Sequence, residues 1–171
     1  MKPPIVYLDT SFFIGLIEDE SGRRADCKEV LKYERSENSK FYTSLLTINE
    51  FLVKTYNEYR GHPDCDEKVE KVINSIRDIA QTYALNDEVM KESARLMSVY
   101  GYTLKMANPP LPRDRKFRWD SLHMATAQIL KADRVYSFDN PWNHFPKDEL
   151  KYIDKIVCPA KPPQSSLTFN Q

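Results

Sequence analysis

The chain has 171 residues, 41% of them hydrophobic and 29% charged, which is enough to bury a full core and far from the composition of a disordered or fibrous chain. Lysine plus arginine and aspartate plus glutamate both number 25, so no net field draws in a polyanion and any nucleic acid has to be held by a local patch. No apolar run approaches the ~20 residues of a membrane span. No signal peptide is evident, and Cys27, Cys65 and Cys158, scattered without CxxC or zinc spacing, read as reduced thiols of a cytoplasmic protein with no membrane role.

In chain order, Ile5-Val6-Tyr7-Leu8 is a run of β-formers that suits a central strand covered on both faces, and Asp9 ends it. Thr10 and Ser11 can cap a helix predicted over 12–19, and a second helical stretch begins over 26–32. Phe41, Tyr42 and Thr43 mark a strand over 40–44, followed by a helix from about Ile48 on which Phe51, Leu52 and Tyr56 recur at helical spacing. A charged region over 62–71 leads into Val69, Val72, Ile73, Ile76 and Ile79, the apolar face of another helix. Asn86 or Asp87 caps a helix over 88–100 that Gly101 is expected to stop.

The segment Asn108-Pro109-Pro110-Leu111-Pro112 cannot be helix interior, and the densest cationic cluster of the chain follows it over 113–118. Helical order returns over 119–131 with Leu122, Ala125 and Ile129 on one face. A strand over 134–138 ends at Asp139, and a last strand spans 155–158. One domain over 1–158 is expected, with 159–171, which has three prolines, as a mobile tail. Strands alternating with crossover helices predict an α/β fold, a three-layer α/β/α sandwich with a central parallel sheet, whose sites form at the carboxyl ends of the strands.

Four acids stand at element ends, and each has an ordinary explanation. Asp9 can start a helix, Thr47-x-x-Glu50 has the form of a capping box, Asp120 suits a first helical turn, and Asp139 before Asn140-Pro141 suits a turn. Their joint placement is what suggests chemistry. Four clustered carboxylates repel unless protonated or bridged by cations, so the set implies a divalent metal, and such ions can bind a phosphodiester, activate water and stabilise a leaving oxygen.

The segments Val6-Tyr7-Leu8-Asp9-Thr10-Ser11, Thr43-Ser44-Leu45-Leu46-Thr47-Ile48-Asn49-Glu50, Asp120-Ser121-Leu122-His123-Met124-Ala125-Thr126-Ala127 and Tyr136-Ser137-Phe138-Asp139 together resemble the PIN-domain family, in particular the VapC-type toxin ribonucleases. The resemblance implies a PIN-like sandwich and a metal-dependent endoribonuclease using Mg²⁺ or Mn²⁺, the toxin of a type II toxin-antitoxin pair. It implies Asp9, Glu50, Asp120 and Asp139 as catalytic and metal-binding acids, with Ser11 and Ser137 as their polar neighbours. RNA is then the substrate, a cognate antitoxin a partner and a homodimer the expected assembly. Glu50 either joins the metal or orients and deprotonates the attacking water. The chain is longer than the commonest toxin pattern, through 62–71, the Pro-rich approach to Asp120 and the tail, which leaves substrate and partner open.

Two other readings compete. A catalytically silent protein-interaction module of this fold would have lost an acid, and all four are present. A phosphohydrolase with Asp9 as nucleophile would show Asp-x-Asp, where this chain has Ser11. Within the nuclease reading, a role in RNA processing stands beside the toxin role. The stretch Arg113-Asp114-Arg115-Lys116-Phe117-Arg118-Trp119 can contact phosphates through Arg113, Arg115, Lys116 and Arg118 and stack an unpaired base, and it reads equally well as a solvated loop. His123 is read as a helix residue without a catalytic part, and Trp119, Trp142 and the tyrosines chiefly as packing residues. Four glycines without P-loop spacing disfavour a phosphate-cradling loop.

Overall fold

The computed structural model describes residues 2–106, 117–139, 142, 145 and 147–162, with backbone alone over 101–106. Five short strands, β1 (Ile5–Leu8), β2 (Lys40–Ser44), β3 (Gln81–Tyr83), β4 (Arg134–Tyr136) and β5 (Lys155–Val157), pair in the order β3-β2-β1-β4-β5, every pair parallel. Six helices lie between them: α1 (Thr10–Ile17), α2 (Arg24–Ser36), α3 (Leu45–Glu58), α4 (Cys65–Arg77), α5 (Asp87–Met106) and α6 (Phe117–Ile129). The expected three-layer sandwich is the observed one.

Strand alternation builds two cores. Val6 and Leu8 point to the layer that holds Phe12 and Phe13 of α1, Val30 of α2, Phe51 of α3 and Ile76 of α4. Tyr7 points to the other, where Leu96 of α5 and Phe117, Met124 and Ala125 of α6 pack with Val135 and Trp142. β1 is therefore apolar at every position because both of its faces are covered. Its amino end is clamped by three hydrogen bonds: Ile5 N donates to Asp133 Oδ2 (2.7 Å), Asp133 N to Ile5 O (2.8 Å), and Lys40 N to Pro4 O (2.8 Å). The strand order reverses direction between β1 and β4, and in open parallel sheets the crevice at that switch is where ligands bind.

Several boundaries differ from the sequence reading. The edge strand β3 was not expected, because Gln81-Thr82-Tyr83 carries no apolar run; parallel pairing with β2 creates it. Helix α1 begins at Thr10, with Asp9 in the N-cap position. Helix α3 begins at Leu45, capped by the Ser44 hydroxyl, which accepts from Leu46 N (3.1 Å). Asn86 caps α5 by accepting from Val89 N (3.0 Å), but the helix runs through Gly101 to Met106. One glycine costs a helix about 1 kcal/mol relative to alanine, too little to end it unless the chain turns left-handed there. Ala160 is fully buried against the first core, so packed chain continues beyond residue 158. Residues 113–116 and 163–171 lie outside the described residues.

Between α1 and α2 the chain makes a tight corner through a 3₁₀ turn, Glu20–Gly22, with positive φ at Asp19, Ser21 and Gly22. Arg24 holds it. Its guanidinium donates to the carbonyls of Leu16 (3.0 Å) and Ile17 (2.9 Å), satisfying the end of α1, while Asp19 Oδ1 accepts from Arg24 N (3.1 Å).

Candidate active site

The carboxyl ends of β1 and β4 open into a cleft of about 490 Å³. Asp9, Glu50, Asp120 and Asp139 all line it, brought there by four separate segments: the β1–α1 junction, the second turn of α3, the first turn of α6 and the chain just after β4. Asp9 is buried, Glu50 and Asp120 are half-buried, and Asp139 is exposed.

The ordinary explanations of two acids fail on this geometry. The Asp9 side chain makes no capping hydrogen bond. Instead its Oδ2 accepts from the hydroxyls of Ser11 (3.0 Å) and Ser137 (2.8 Å). Those hydroxyls in turn accept from the backbone: Phe138 N donates to Ser11 Oγ (2.9 Å) and Asp139 N to Ser137 Oγ (3.0 Å). The two serines thus lock the end of β1 to the end of β4. Glu50 does not close a capping box, because the helix is capped at Ser44, three residues before the expected cap. Thr47 instead sits inside the structure, its Oγ1 2.8 Å from Thr43 Oγ1, which donates to Leu8 O (2.8 Å).

His123 is the residue whose place the sequence concealed. It is fully buried at the cleft wall, with Nδ1 2.7 Å from Tyr7 Oη and 3.7 Å from Asp9 Oδ1, and Nε2 3.1 Å from Glu50 Oε2 and 3.2 Å from Thr10 Oγ1. The Thr10 hydroxyl also donates to Glu50 Oε2. Burial opposes the charge on His123, but Asp9 and Glu50 outweigh it and raise its pKa above the usual histidine value. Burial likewise opposes the charge on Glu50, and the hydrogen bonds from His123 and Thr10 hold its carboxyl below the usual range. Burial, reinforced by Asp9 and Glu50, pushes the Tyr7 phenol well up, so it stays protonated. The spacing of Asp120 and His123, three apart on one helix, was the available signal.

The rest of the wall carries a cation and an aromatic. Arg23, from the α1–α2 corner, lies with its guanidinium 4.7 Å from the centre of the Phe138 ring and 3.5 Å from Glu20. Gly15 makes this approach fit: a Cβ there would stand 3.0 Å from Arg23 Cβ and 3.2 Å from Phe138. Trp119 also lines the cleft, and it is 51% exposed. Of the predicted nucleic-acid contacts, Arg118 is exposed in the first turn of α6, whereas Arg113, Arg115 and Lys116 fall outside the described residues. Phe117 belongs to the core, stacked on Tyr100 with ring centres 3.9 Å apart.

No three histidine, cysteine, aspartate or glutamate side chains among the described residues stand close enough to share one metal ion directly. Glu50 is turned to His123 and Thr10, and Asp9 Oδ2 to the two serines. The donor chemistry nevertheless suits a hard divalent cation: the acids facing the cleft offer only oxygen, and a small cation such as Mg²⁺ keeps several of its waters, so carboxylates can hold it through them.

A PIN-domain family model matches residues 6–148, a span that contains strands β2, β3 and β4, nearly all of β1 and all four acids. The chain belongs to the PIN-domain family. Solved structures agree at the level of fold. VapBC2 from Rickettsia felis, bound to a DNA fragment from their promoter, is 12% identical, with 83% of this chain and 93% of that one covered at a TM-score of 0.56. VapBC-1 from nontypeable Haemophilus influenzae is 15% identical over 90% and 97% of the two chains, with a TM-score of 0.56. VapC20 of Mycobacterium tuberculosis, described as a sarcin-ricin loop cleaving toxin, is 16% identical over 81% and 92%, with a TM-score of 0.53. No curated protein matches the sequence. Among the described residues of this PIN domain, no helix is long and apolar enough to cross a membrane, and no disulfide joins the three cysteines.

Proposed function

We propose that this PIN-domain protein is a metal-dependent endoribonuclease that hydrolyses RNA phosphodiester bonds with Mg²⁺ or Mn²⁺. One observation carries the reading: four separate segments deliver Asp9, Glu50, Asp120 and Asp139 to one cleft at the switch point of the sheet. Arg23 is the one lysine or arginine among the described residues that line this cleft, so its charge is strongly negative and calls for a bound cation.

In this reading Asp9, Asp120 and Asp139 hold the cation directly or through water. When bound, it supplies neutralisation of the phosphodiester and Lewis-acid polarisation of its phosphorus centre. Ser11 and Ser137 keep Asp9 aimed by donating to the oxygen on its far side. Glu50, oriented by Thr10 and His123, completes the donor set or takes the proton of the attacking water. No serine, cysteine or histidine nucleophile is needed.

The fold neighbours are toxin-antitoxin proteins, which supports a toxin role with a cognate antitoxin as partner; a cytoplasmic homodimer belongs to the same proposal. Cleavage of defined RNAs in Mg²⁺ or Mn²⁺, with EDTA and with Asp9→Asn as controls, tests the activity. Cleavage is expected to stop in EDTA and in the folded variant; activity indifferent to both refutes the reading. A small antitoxin-like reading frame beside this one, whose product suppresses cleavage, supports the toxin role.

A further inference from the structure

Two residues of the cleft wall have no part in holding a cation. Trp119 and Phe117 stand two apart in the first turn of α6, yet they separate completely: Phe117 is 2% exposed against Tyr100 and Phe145, while Trp119 is 51% exposed beside Asp120. A half-exposed indole leaves a large apolar face in water, and here that face belongs to the cleft lined by the four acids. Arg23 is the second residue. The Phe138 ring beneath it and Glu20 beside it fix the guanidinium, which remains partly exposed.

We infer that Trp119 and Arg23 form a two-point grip on one unpaired nucleotide next to the scissile phosphate, the base stacked on the indole and a phosphate paired with the guanidinium. The inference rests on the nuclease reading and names the two side chains that position its substrate, a grip that requires a base free of a continuous duplex. The physical reason is access. A base inside a duplex has both faces covered by its neighbours, so only an unstacked base presents a face to the indole, and such stacking tolerates any base identity. A guanidinium resting on an aromatic ring is also less well hydrated than a lysine ammonium, and its planar fork matches phosphate oxygens.

The pair of tryptophans provides a built-in probe. Trp142 is fully buried, so quenching of the wild-type fluorescence on adding an oligonucleotide reports on Trp119. The test uses the full chain in EDTA, where metal-dependent cleavage stops, titrated with a ten-nucleotide oligouridylate and with a blunt RNA duplex of equal length. The single strand should quench saturably and the duplex should not. By anisotropy of a labelled single strand, Trp119→Ala should weaken binding ~10-fold and Trp119→Phe much less, since a smaller ring still stacks. Arg23→Gln should reduce the dependence of log affinity on log salt by about one phosphate contact, a slope change of ~0.7 for a single strand. Equal affinity of wild type and Trp119→Ala, or equal binding of duplex and single strand, overturns the inference. The outcomes separate from those of the nuclease reading. A wild-type protein that cleaves in Mg²⁺ or Mn²⁺ while both variants bind and cleave as it does leaves the ribonuclease intact and removes the grip; one that grips the single strand but cleaves nothing removes the ribonuclease.

Discussion

The Nε2 nitrogen of His123 stands 3.1 Å from Glu50 Oε2, and the opposite nitrogen of the same ring is 2.7 Å from the Tyr7 hydroxyl. The imidazole is therefore a fixed strut between the central strand and α3, and it holds Glu50 by its carboxylate. Replacing it with alanine leaves the Tyr7 hydroxyl and the buried part of Glu50 without that partner. His123→Ala is expected to lose about 1–3 kcal/mol of stability in urea titration, the usual cost of stranding buried polar groups, and His123→Gln, which can still donate to Glu50, should recover part of it. Equal stability of all three proteins would show that the strut is dispensable.

The serines behind Asp9 act at one remove. Ser137 donates to Asp9 and accepts from Asp139 N, so Ser137→Ala loosens two acids together without removing either. Partners of metal-holding carboxylates typically change affinity 10–100-fold when mutated. Calorimetric titration with Mn²⁺ is expected to show weakening in that range for Ser137→Ala and loss of binding for Asp9→Asn. A Ser137→Ala protein that binds Mn²⁺ like the wild type would mean that Asp9 needs no such support.

Gly15 reports on the corner that presents Arg23. A methyl group there meets Arg23 Cβ at 3.0 Å, Phe138 at 3.2 Å and Cys27 Sγ at 3.3 Å, three contacts from two other segments and none with slack at the flexible end of a chain. Gly15→Ala is expected to cost about 1–3 kcal/mol, the range for overpacking a tight core, with thermal unfolding as the measurement. An unchanged or higher melting temperature would show that the corner moves aside freely.

A pH dependence follows from the groups buried in and beside the first core. Glu34 is fully buried and accepts from Tyr136 Oη (2.6 Å) and Ser39 Oγ (2.7 Å), with Arg134 3.1 Å away. Burial, and then Glu34, raise the Tyr136 phenol above its ordinary 10.0; burial pushes the Cys27 thiol up to about 12 and the Cys158 thiol to about 11, from 9.0. In each case the unfolded chain releases its proton first. Stability from these groups is complete below the ordinary values and is lost as pH rises through 9 and 10 toward the folded values. The melting temperature should fall above about pH 9, and Tyr136→Phe should flatten that fall above pH 10 while being less stable at neutrality. A wild-type curve flat to pH 11 would contradict the assignment. At neutral pH, Glu34→Ala, which strands Arg134, should cost about 3–5 kcal/mol by urea titration, and a loss under 1 kcal/mol would count against a paired buried charge.

The strands that hold Asp9 and Asp139 were legible because β1 and the core of β4 are uninterrupted β-formers, and a fully buried parallel strand leaves that signature. β3 was not, since Gln81, Thr82 and Tyr83 acquire their conformation from β2 alone. The start of α3 was misplaced by a real ambiguity: Ser44 and Thr47 both look like caps, and only the packing of Thr47 against Thr43 decides between them. Helix ends fail for a related reason at Gly101, where a local stop signal yields to the continuing helix. His123 and Arg23 were hidden more deeply. Their roles depend on Tyr7, Glu50 and Phe138, all far away in sequence, and the spacing of His123 from Asp120 places it on the same face of α6 without encoding those contacts. Trp119 and Phe117 were legible together as aromatics of a stretch able to stack a base, and their distinction is a matter of which side of α6 faces the cleft.

The hydrogen-bonded clamp at the amino end of β1 has a practical side. Pro4, Ile5, Lys40 and Asp133 secure the centre of the sheet at the edge opposite the acids, so a tether or fusion attached through Lys2 points away from the cleft. Immobilised by that end, the protein would present its cleft on the side away from the support.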